Sequence, residues 1–357
     1  MTSAYSDKAC RLFAMLGDAE NICIVVHSHP DGDALGCSAA LCLFAREKLA
    51  KDCIVIIPDA GPQVLDFVHE GLGFINAGED SGKAEATLAR ADLIVCMDMN
   101  AFDRAGSLEG MLLRSNAVKV LIDHHLNPDE KSFDLTISEK DISSASELLY
   151  WVLLGMPGMT SAADLPLKCA EALMTGMTTD TNNFANSVFP GTLEMASELL
   201  AAGVDREAVI GHLYQEYRPN RIALCSHMLC NGLRFIPDGA AYMVIRRDTW
   251  NRFDAIEGET EGLVNVPLSI KEIRLSLLLR EDDGFFRVSV RSKEGTSANT
   301  LAREFFHGGG HERAAGGRVF FPGDIASPDE IEGYISEMTA RFLHNTGETE
   351  NLKMKRI

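Results

Sequence analysis

No apolar run in the chain reaches the roughly 18 residues needed to cross a bilayer. The polar, amphipathic stretch Met1 to Glu20 has no signal-peptide apolar core. A soluble, cytoplasmic protein with no membrane partner is expected. None of the nine cysteines forms a CxxC pair, which argues against a zinc ribbon or a thioredoxin-type centre. Cys23, Cys53 and Cys96 sit inside apolar runs and read as buried, reduced thiols. There is no basic stripe: 33 Lys and Arg face 52 Asp and Glu, a formal charge of −19. A protein that tracks along a polyanion carries such a stripe. Long duplex nucleic acid is therefore not an expected partner, whereas a small nucleotide held locally remains compatible with the charge. Internal repeats and low-complexity tracts are also absent. So is a GxGxxG turn after an N-terminal strand, which argues against Rossmann-type dinucleotide binding.

What the chain does have is an ordinary globular balance, 46% hydrophobic and 24% charged, over 357 residues. That length predicts two domains. Four short runs rich in Val and Ile read as strands buried on both faces: Ile22 to Val26, Cys53 to Ile57, Leu93 to Met97 and Val118 to Ile122. Helical patterns, clearest at Leu35 to Ala50 and Lys83 to Arg90, lie between them. The alternation predicts an α/β domain with a parallel sheet. Ser143 to about Asn231 reads mostly helical, with Leu165 to Thr178 as one helix. Strand signals return at Ala241 to Arg246, Ile273 to Leu279, Phe285 to Arg291 and Arg318 to Phe321, and Ile331 to Leu343 reads as a closing helix. The expected organisation is a parallel-sheet domain over 1–190, a helical linker over 191–234, a smaller α/β domain over 235–345 across a cleft, and a loose tail over 346–357.

Polar residues cluster where the strands end, and ligands of parallel sheets bind beyond the carboxyl ends of strands. After the first run comes His27-Ser-His-Pro-Asp31-Gly-Asp33. A turn through Pro30 and Gly32 can fold these side chains toward one point, although Asp33 could equally cap the helix that follows. Asp98 follows the third run; Asp123, His124 and His125 close the fourth. Successive strand residues face opposite ways, so one histidine can bind a metal while the other faces substrate. Asp123 can hold an imidazole from behind. Asp180 lies where a helical pattern stops, in the polar turn Thr179 to Asn183, and could cap or bind metal. Together His27, Asp31, Asp33, Asp98, His124 and Asp180 suit a paired metal site, in which two ions roughly 3.5–4 Å apart share a bridging carboxylate. Imidazole and carboxylate donors favour Mn²⁺, with Mg²⁺ or Co²⁺ also suited. Near the C-terminus, His307-Gly-Gly-Gly-His311 and its neighbours to Gly317 expose backbone to a phosphate or base. Arg291, at a strand end, could grip phosphate or stack on a base.

In this order the motifs resemble the DHH phosphoesterase family, over most of the chain. HSHPDGDALG is similar to its first motif, Asp98 its second, Asp123-His124-His125 the triplet that names it, and Thr179-Asp180-Thr181 its fourth. Gly308 to Gly317 is similar to the GGGH signature of the associated C-terminal domain. The NrnA-like subfamily, active on nanoRNA and on 3′-phosphoadenosine 5′-phosphate, is the nearest in pattern. The resemblance implies that His27, Asp31 and Asp98 hold one ion, and Asp33, Asp98, His124 and Asp180 the other, with Asp98 bridging. It implies that His125 faces the scissile phosphate, with Asp98 and His125 at the chemistry. Arg104, Arg291, Ser292, Gly309, Gly310 and His311 would position the nucleotide. His29 falls at a variable motif position. The partners implied are short single-stranded RNA or small nucleotides, and a homodimer is a fair expectation. Alternatives are a soluble phosphodiesterase acting on cyclic di-AMP or pApA, and a nucleotide-binding sensor without turnover.

Overall fold

The computed structural model describes residues 2–354, with side chains from 5 to 344. The chain divides into two compact units, Met1–Glu216 and Tyr217–Ile357. The first unit opens with α1 (Thr2–Asp18) and β1 (Ile22–Val26), then α2 (Gly32–Leu49), β2 (Cys53–Ile57) and β3 (Gly73–Asn76). It continues through α3 (Ser81–Leu88), β4 (Leu93–Met97), α4 (Glu109–Arg114), β5 (Val118–Asp123) and β6 (Leu135–Ser138). It closes with α5 (Ala145–Leu154), α6 (Leu167–Asp180), α7 (Pro190–Ala201) and α8 (Arg206–Tyr214).

Its six strands form one parallel sheet in the order β3-β2-β1-β4-β5-β6. The four runs read as strands in the sequence are the four inner ones. Alternate residues go to opposite faces, as the pleat requires. Ile22, Ile24 and Val26 of β1 join a core with α1, α2, α5 and α6, while Cys23 and Val25 join a second core under α3 and α4. Burial on both faces explains why these strands are continuous apolar runs. The strand order reverses between β1 and β4, and such switch points leave a crevice at the carboxyl edge.

The segment 191–234 is shared between the units: α7 and α8 pack on the first core through Met195, Leu199, Val209 and Leu213. The second unit begins with α9 (Pro219–His227), β7 (Arg234–Ile236), β8 (Ala240–Ile245) and α10 (Arg247–Arg252). Then come β9 (Leu275–Asp282), β10 (Phe285–Ser292), α11 (Ala298–Phe305), β11 (Gly309–Gly310), β12 (Ala314–Phe320) and α12 (Ile331–Met354). The helix α12 runs past the expected end at Leu343 and through much of the tail expected to be loose; the side chains of that tail lie outside the described residues. The sheet order is β11-β12-β10-β9-β8-β7, with β8 and β9 parallel and the other pairs antiparallel. One face packs on α11 and α12 through Phe286, Val288 and Val290. Part of the other is covered by Leu224 and Met228. The expected α/β class, with a parallel first sheet and a smaller second unit, is what the structure has.

Candidate metal centre

β1 and β4 lie side by side in register, Val26 opposite Met97. The next residue on each is His27 and Asp98, so two neighbouring strands deliver an imidazole and a carboxylate to the switch point. His27 Nε2 is 3.5 Å from Asp98 Oδ2. Asp98 leaves the strand in a left-handed backbone conformation, φ +55°, which Asp tolerates better than most residues. Its N–H still donates to Ile122 O at 3.0 Å, so β5 holds the turn in place.

The His27–Asp33 turn is pinned on both sides. His29, also left-handed at φ +54°, donates its backbone N–H to Asp59 Oδ1 at 2.6 Å, and its Nδ1 lies 2.6 Å from the same oxygen. It lies outside both ligand groups described below. Asp31, not Asp33, caps α2: its Oδ1 accepts from the N–H of Asp33 and Ala34 at 3.0 and 3.2 Å. Asp33 turns inward instead, is 1% exposed, and accepts from the first two N–H groups of α5. Ala145 N donates to Oδ2 at 2.6 Å and Ser146 N to Oδ1 at 2.9 Å. A helix N-terminus stabilises such a carboxylate through its unsatisfied donors and dipole. Asp180 is the final residue of α6, rather than part of the polar turn after it.

β5 ends at Asp123, so His124 and His125 are not alternating strand residues as the sequence reading assumed. Their rings sit together, centroids 5.0 Å apart and planes at 67°, and both reach Asp98 Oδ1, at 3.4 and 3.6 Å. His124 Nε2 also lies 3.6 Å from Asp180 Oδ2 and 3.9 Å from Asp33 Oδ2. The Nδ1 of His125 lies 2.7 Å from Asp123 Oδ1, and its backbone N–H donates to Oδ2 at 3.1 Å. Two ligand groups suit a pair of ions, His27 with Asp31 and Asp98, and Asp33 with His124 and Asp180, and a further cluster, Asp98 with Asp123 and His125, adjoins them; within each, the donor atoms all lie within 4.8 Å of one another. Asp98 faces both groups, Oδ2 toward His27 and Oδ1 toward His124.

The residues fit divalent ions. Asp98 Oδ1 is buried, and among the described residues it makes no hydrogen bond, the His124 and His125 nitrogens standing at 3.4 and 3.6 Å; an unpaired buried acceptor costs about 1–3 kcal/mol, which a bound cation would offset. The donors are imidazole nitrogen and carboxylate oxygen, which suit hard and borderline ions, and no thiol joins them. The electrostatics are those of crowded acids and bases. Burial opposes charge on His27, yet Asp31 and Asp98 hold its pKa well above the usual imidazole value. Asp98, Asp180 and Asp33 do the same for His124 against its burial. Burial, reinforced by Asp98 and Asp180, pushes Asp33 well up. Burial raises Asp180 to about 6, with His124 opposing and Asp31 and Asp98 adding. Asp98 moves the other way, because His124 and His27 outweigh its burial.

The remaining candidates are placed as follows. Arg104, half-buried, lies beyond β4, and its carbonyl accepts from Ser28 N at 2.7 Å. In the second unit Arg291 is on β10, opposite Ala314. Ser292 is 6% exposed and its hydroxyl donates to Thr296 O at 2.6 Å, so that group closes a turn. The Gly-rich segment is a β-ribbon, Gly309 and Gly310 pairing with Gly316 and Ala315, and His311 closes its turn by donating N–H to Ala314 O at 2.7 Å. Close approach of a ligand is not the main reason for these glycines. A Cβ on Gly308 would come within 1.9 Å of Gly316 O, and one on Gly310, at φ +145°, within 2.6 Å of Ala314 O. Sequence reasoning missed Glu147 and the Gly176 contact with Asp33. Ser144-Ala-Ser-Glu147 carries a helix-start signature, but not the burial that makes Glu147 matter.

The first unit matches the DHH family, N-terminal domain, over residues 21–177, and the second matches the DHHA1 domain over residues 239–326. The bifunctional oligoribonuclease and PAP phosphatase NrnA of Bacillus subtilis is 30% identical over 321 residues, spanning 88% of this chain and 93% of that protein. The protein of the same name from Thermus thermophilus is 27% identical over 299 residues, 83% of each. The crystal structure of an exopolyphosphatase-related protein from Bacteroides fragilis superposes with a TM-score of 0.85 at 32% identity, over 97% of this chain and 98% of that one. With its paired acid and histidine clusters at the sheet edge, the chain belongs to the DHH family of metal-dependent phosphoesterases.

Proposed function

We propose that the chain hydrolyses short oligoribonucleotides to mononucleotides, and 3′-phosphoadenosine 5′-phosphate to AMP, with two divalent ions, Mn²⁺ first and Mg²⁺ or Co²⁺ as alternatives. The observation that carries this reading is the Asp98 carboxylate, one oxygen toward each ligand group; the names of the similar proteins supply the substrates. His27, Asp31 and Asp98 would hold one ion, and Asp33, Asp98, His124 and Asp180 the other. A bound pair supplies Lewis acidity toward phosphoryl oxygens and lowers the pKa of water. The protein does the rest by orientation. Asp123 holds His125 by its ring Nδ1 and its backbone N–H, and we assign its Nε2 to an oxygen of the scissile phosphate. Arg104 would neutralise the same group. In the second unit, Arg291 and the Gly309–His311 turn would take the nucleotide, through the guanidinium and the His311 ring. Ser292 would offer the nucleotide acceptors only, since its N–H and hydroxyl donate to Arg313 O and Thr296 O. No described helix is long and apolar enough to cross a membrane. We place the enzyme in the cytoplasm, where its nine free cysteines would stay reduced, and propose a homodimer.

Purified protein with Mn²⁺ should turn over RNA of two to five nucleotides and the adenosine bisphosphate, leave long RNA largely intact, and lose both activities in Asp98→Ala. Turnover of cyclic di-AMP or pApA alone would reassign the enzyme to second-messenger breakdown. Tight nucleotide binding without turnover would make it a sensor.

A further inference from the structure

Glu147 is fully buried, in the first turn of α5. A buried carboxylate is costly unless its lone pairs are occupied. Here they are, and by uncharged groups. Oε2 accepts from Ser143 N at 3.1 Å, from the Ser143 hydroxyl, and from Thr192 Oγ1 at 2.7 Å; Oε1 accepts from Trp151 Nε1 at 3.3 Å. The Glu147 N–H in turn donates to the cap residue Ser144 at 2.9 Å. The side chain therefore reaches back past the cap to hold Ser143, while the Glu147 backbone N–H holds Ser144, the two residues that lead into α5.

Those residues set where α5 begins, and the start of α5 is what grips Asp33, one N–H on each carboxylate oxygen. The contact through Thr192 extends the same lock to α7, where Thr192 also accepts from Phe189 N at 3.0 Å and so fixes the helix start. The α7 residues Met195 and Leu199 pack in one core with Leu173 and Met177 of α6, the helix that ends in Asp180. Asp33 and Asp180 belong to the same ligand group, with His124. The other group meets α5 less directly: His27 and Asp98 leave β1 and β4, and Asp31 is fixed by capping α2 through the backbone N–H groups of Asp33 and Ala34.

We propose that Glu147 is a positioning residue for one metal of the pair, setting the Asp33–His124–Asp180 ion through the N-terminus of α5 and through α7, and leaving the His27–Asp31–Asp98 ion unaffected. The inference rests on the two-ion reading of the site. Glu147→Gln keeps the shape but puts an amide donor where Oε2 or Oε1 must accept, so the contact with Ser143 N or with Trp151 Nε1, both donors only, becomes donor against donor. Partners of metal ligands are worth about 10- to 100-fold in affinity.

The test is calorimetric titration of metal-free protein with Mn²⁺, for wild type and Glu147→Gln, with thermal melts in chelator to show that the metal-free variant is folded. Two binding events are expected in wild type. In Glu147→Gln one should keep its affinity and the other weaken about 10- to 100-fold. Added to Asp31→Asn, which damages the first group, Glu147→Gln should remove the remaining tight ion. Two wild-type affinities in the variant, or equal weakening of both, would overturn the inference. A single event in wild type would instead overturn the two-ion reading beneath it. If Glu147→Gln does not fold, Ser143→Ala removes one contact with Glu147, and Thr192→Val removes another together with the Phe189 bond; unchanged affinities in both would equally overturn it.

Discussion

Asp123 holds His125 twice, through the ring nitrogen at 2.7 Å and the backbone N–H at 3.1 Å, one bond to each carboxylate oxygen. Both acceptors are needed. Asp123→Asn would set an amide nitrogen against one of the two donors and release the ring. We expect kcat to fall about 10-fold in Asp123→Asn and about 10²-fold in His125→Ala, the scale of losing one donor to the developing charge. Metal content should stay at the wild-type level. Steady-state kinetics beside elemental analysis checks this; loss of metal in His125→Ala would make it a ligand.

Asp98→Ala should be the most damaging single change, because it withdraws an oxygen from each ligand group. Lewis-acid stabilisation is worth several kcal/mol, so activity should drop roughly 10³-fold or more. Both ions should bind weakly in the same titration. Retention of one tight ion would show that Asp98 does not serve both groups.

Metal uptake should release protons. Ions require neutral imidazole and ionised carboxylate, while in the metal-free site burial is outweighed by carboxylates that keep His27 and His124 protonated above the usual range. Affinity should therefore fall as pH falls, and more steeply below about 6, where Asp180 also takes a proton. Titration in two buffers of different ionisation enthalpy measures the release; identical heats would contradict it.

Gly176 leaves no room for a side chain. A Cβ there would lie 2.0 Å from Ser146 Oγ and 2.9 Å from Asp33 Oδ1. In Gly176→Ala the Ser146 side chain and the Asp33 carboxylate must both give way, at a cost of about 1–3 kcal/mol. A lower melting temperature and a weakened ion are expected together. Full metal affinity in a destabilised variant would separate packing from the site.

His311 closes the Gly-rich turn with its backbone, which any residue can do. His311→Ala should therefore keep the fold of the ribbon, raise KM for RNA dinucleotides about 10-fold, as expected for one lost phosphate contact, and leave metal content unchanged. Depleted metal would contradict its assignment to the nucleotide.

The sequence by itself determined the inner four strands and the residues that end them, because a strand buried on both faces must be apolar throughout, and the first polar residue after it marks the sheet edge. It could not show β3 and β6. These are the edge strands, Gly73–Asn76 and Leu135–Ser138; with one neighbour and partial exposure they need no continuous apolar run. It left Asp33 open between capping α2 and binding metal, because a carboxylate at a helix start suits either; the fold makes Asp31 the cap and brings the α5 N-terminus to Asp33. It placed His124 and His125 on opposite faces, since the end of β5 at Asp123 is set by pairing with β6. Glu147 reads as an ordinary first-turn helix acid, and its burial comes from Ser143, Thr192 and Trp151 closing around it. Local pattern determined which chemistry the chain can carry. Contacts between residues far apart in sequence decided which acid caps, which faces an ion, and which holds another in place.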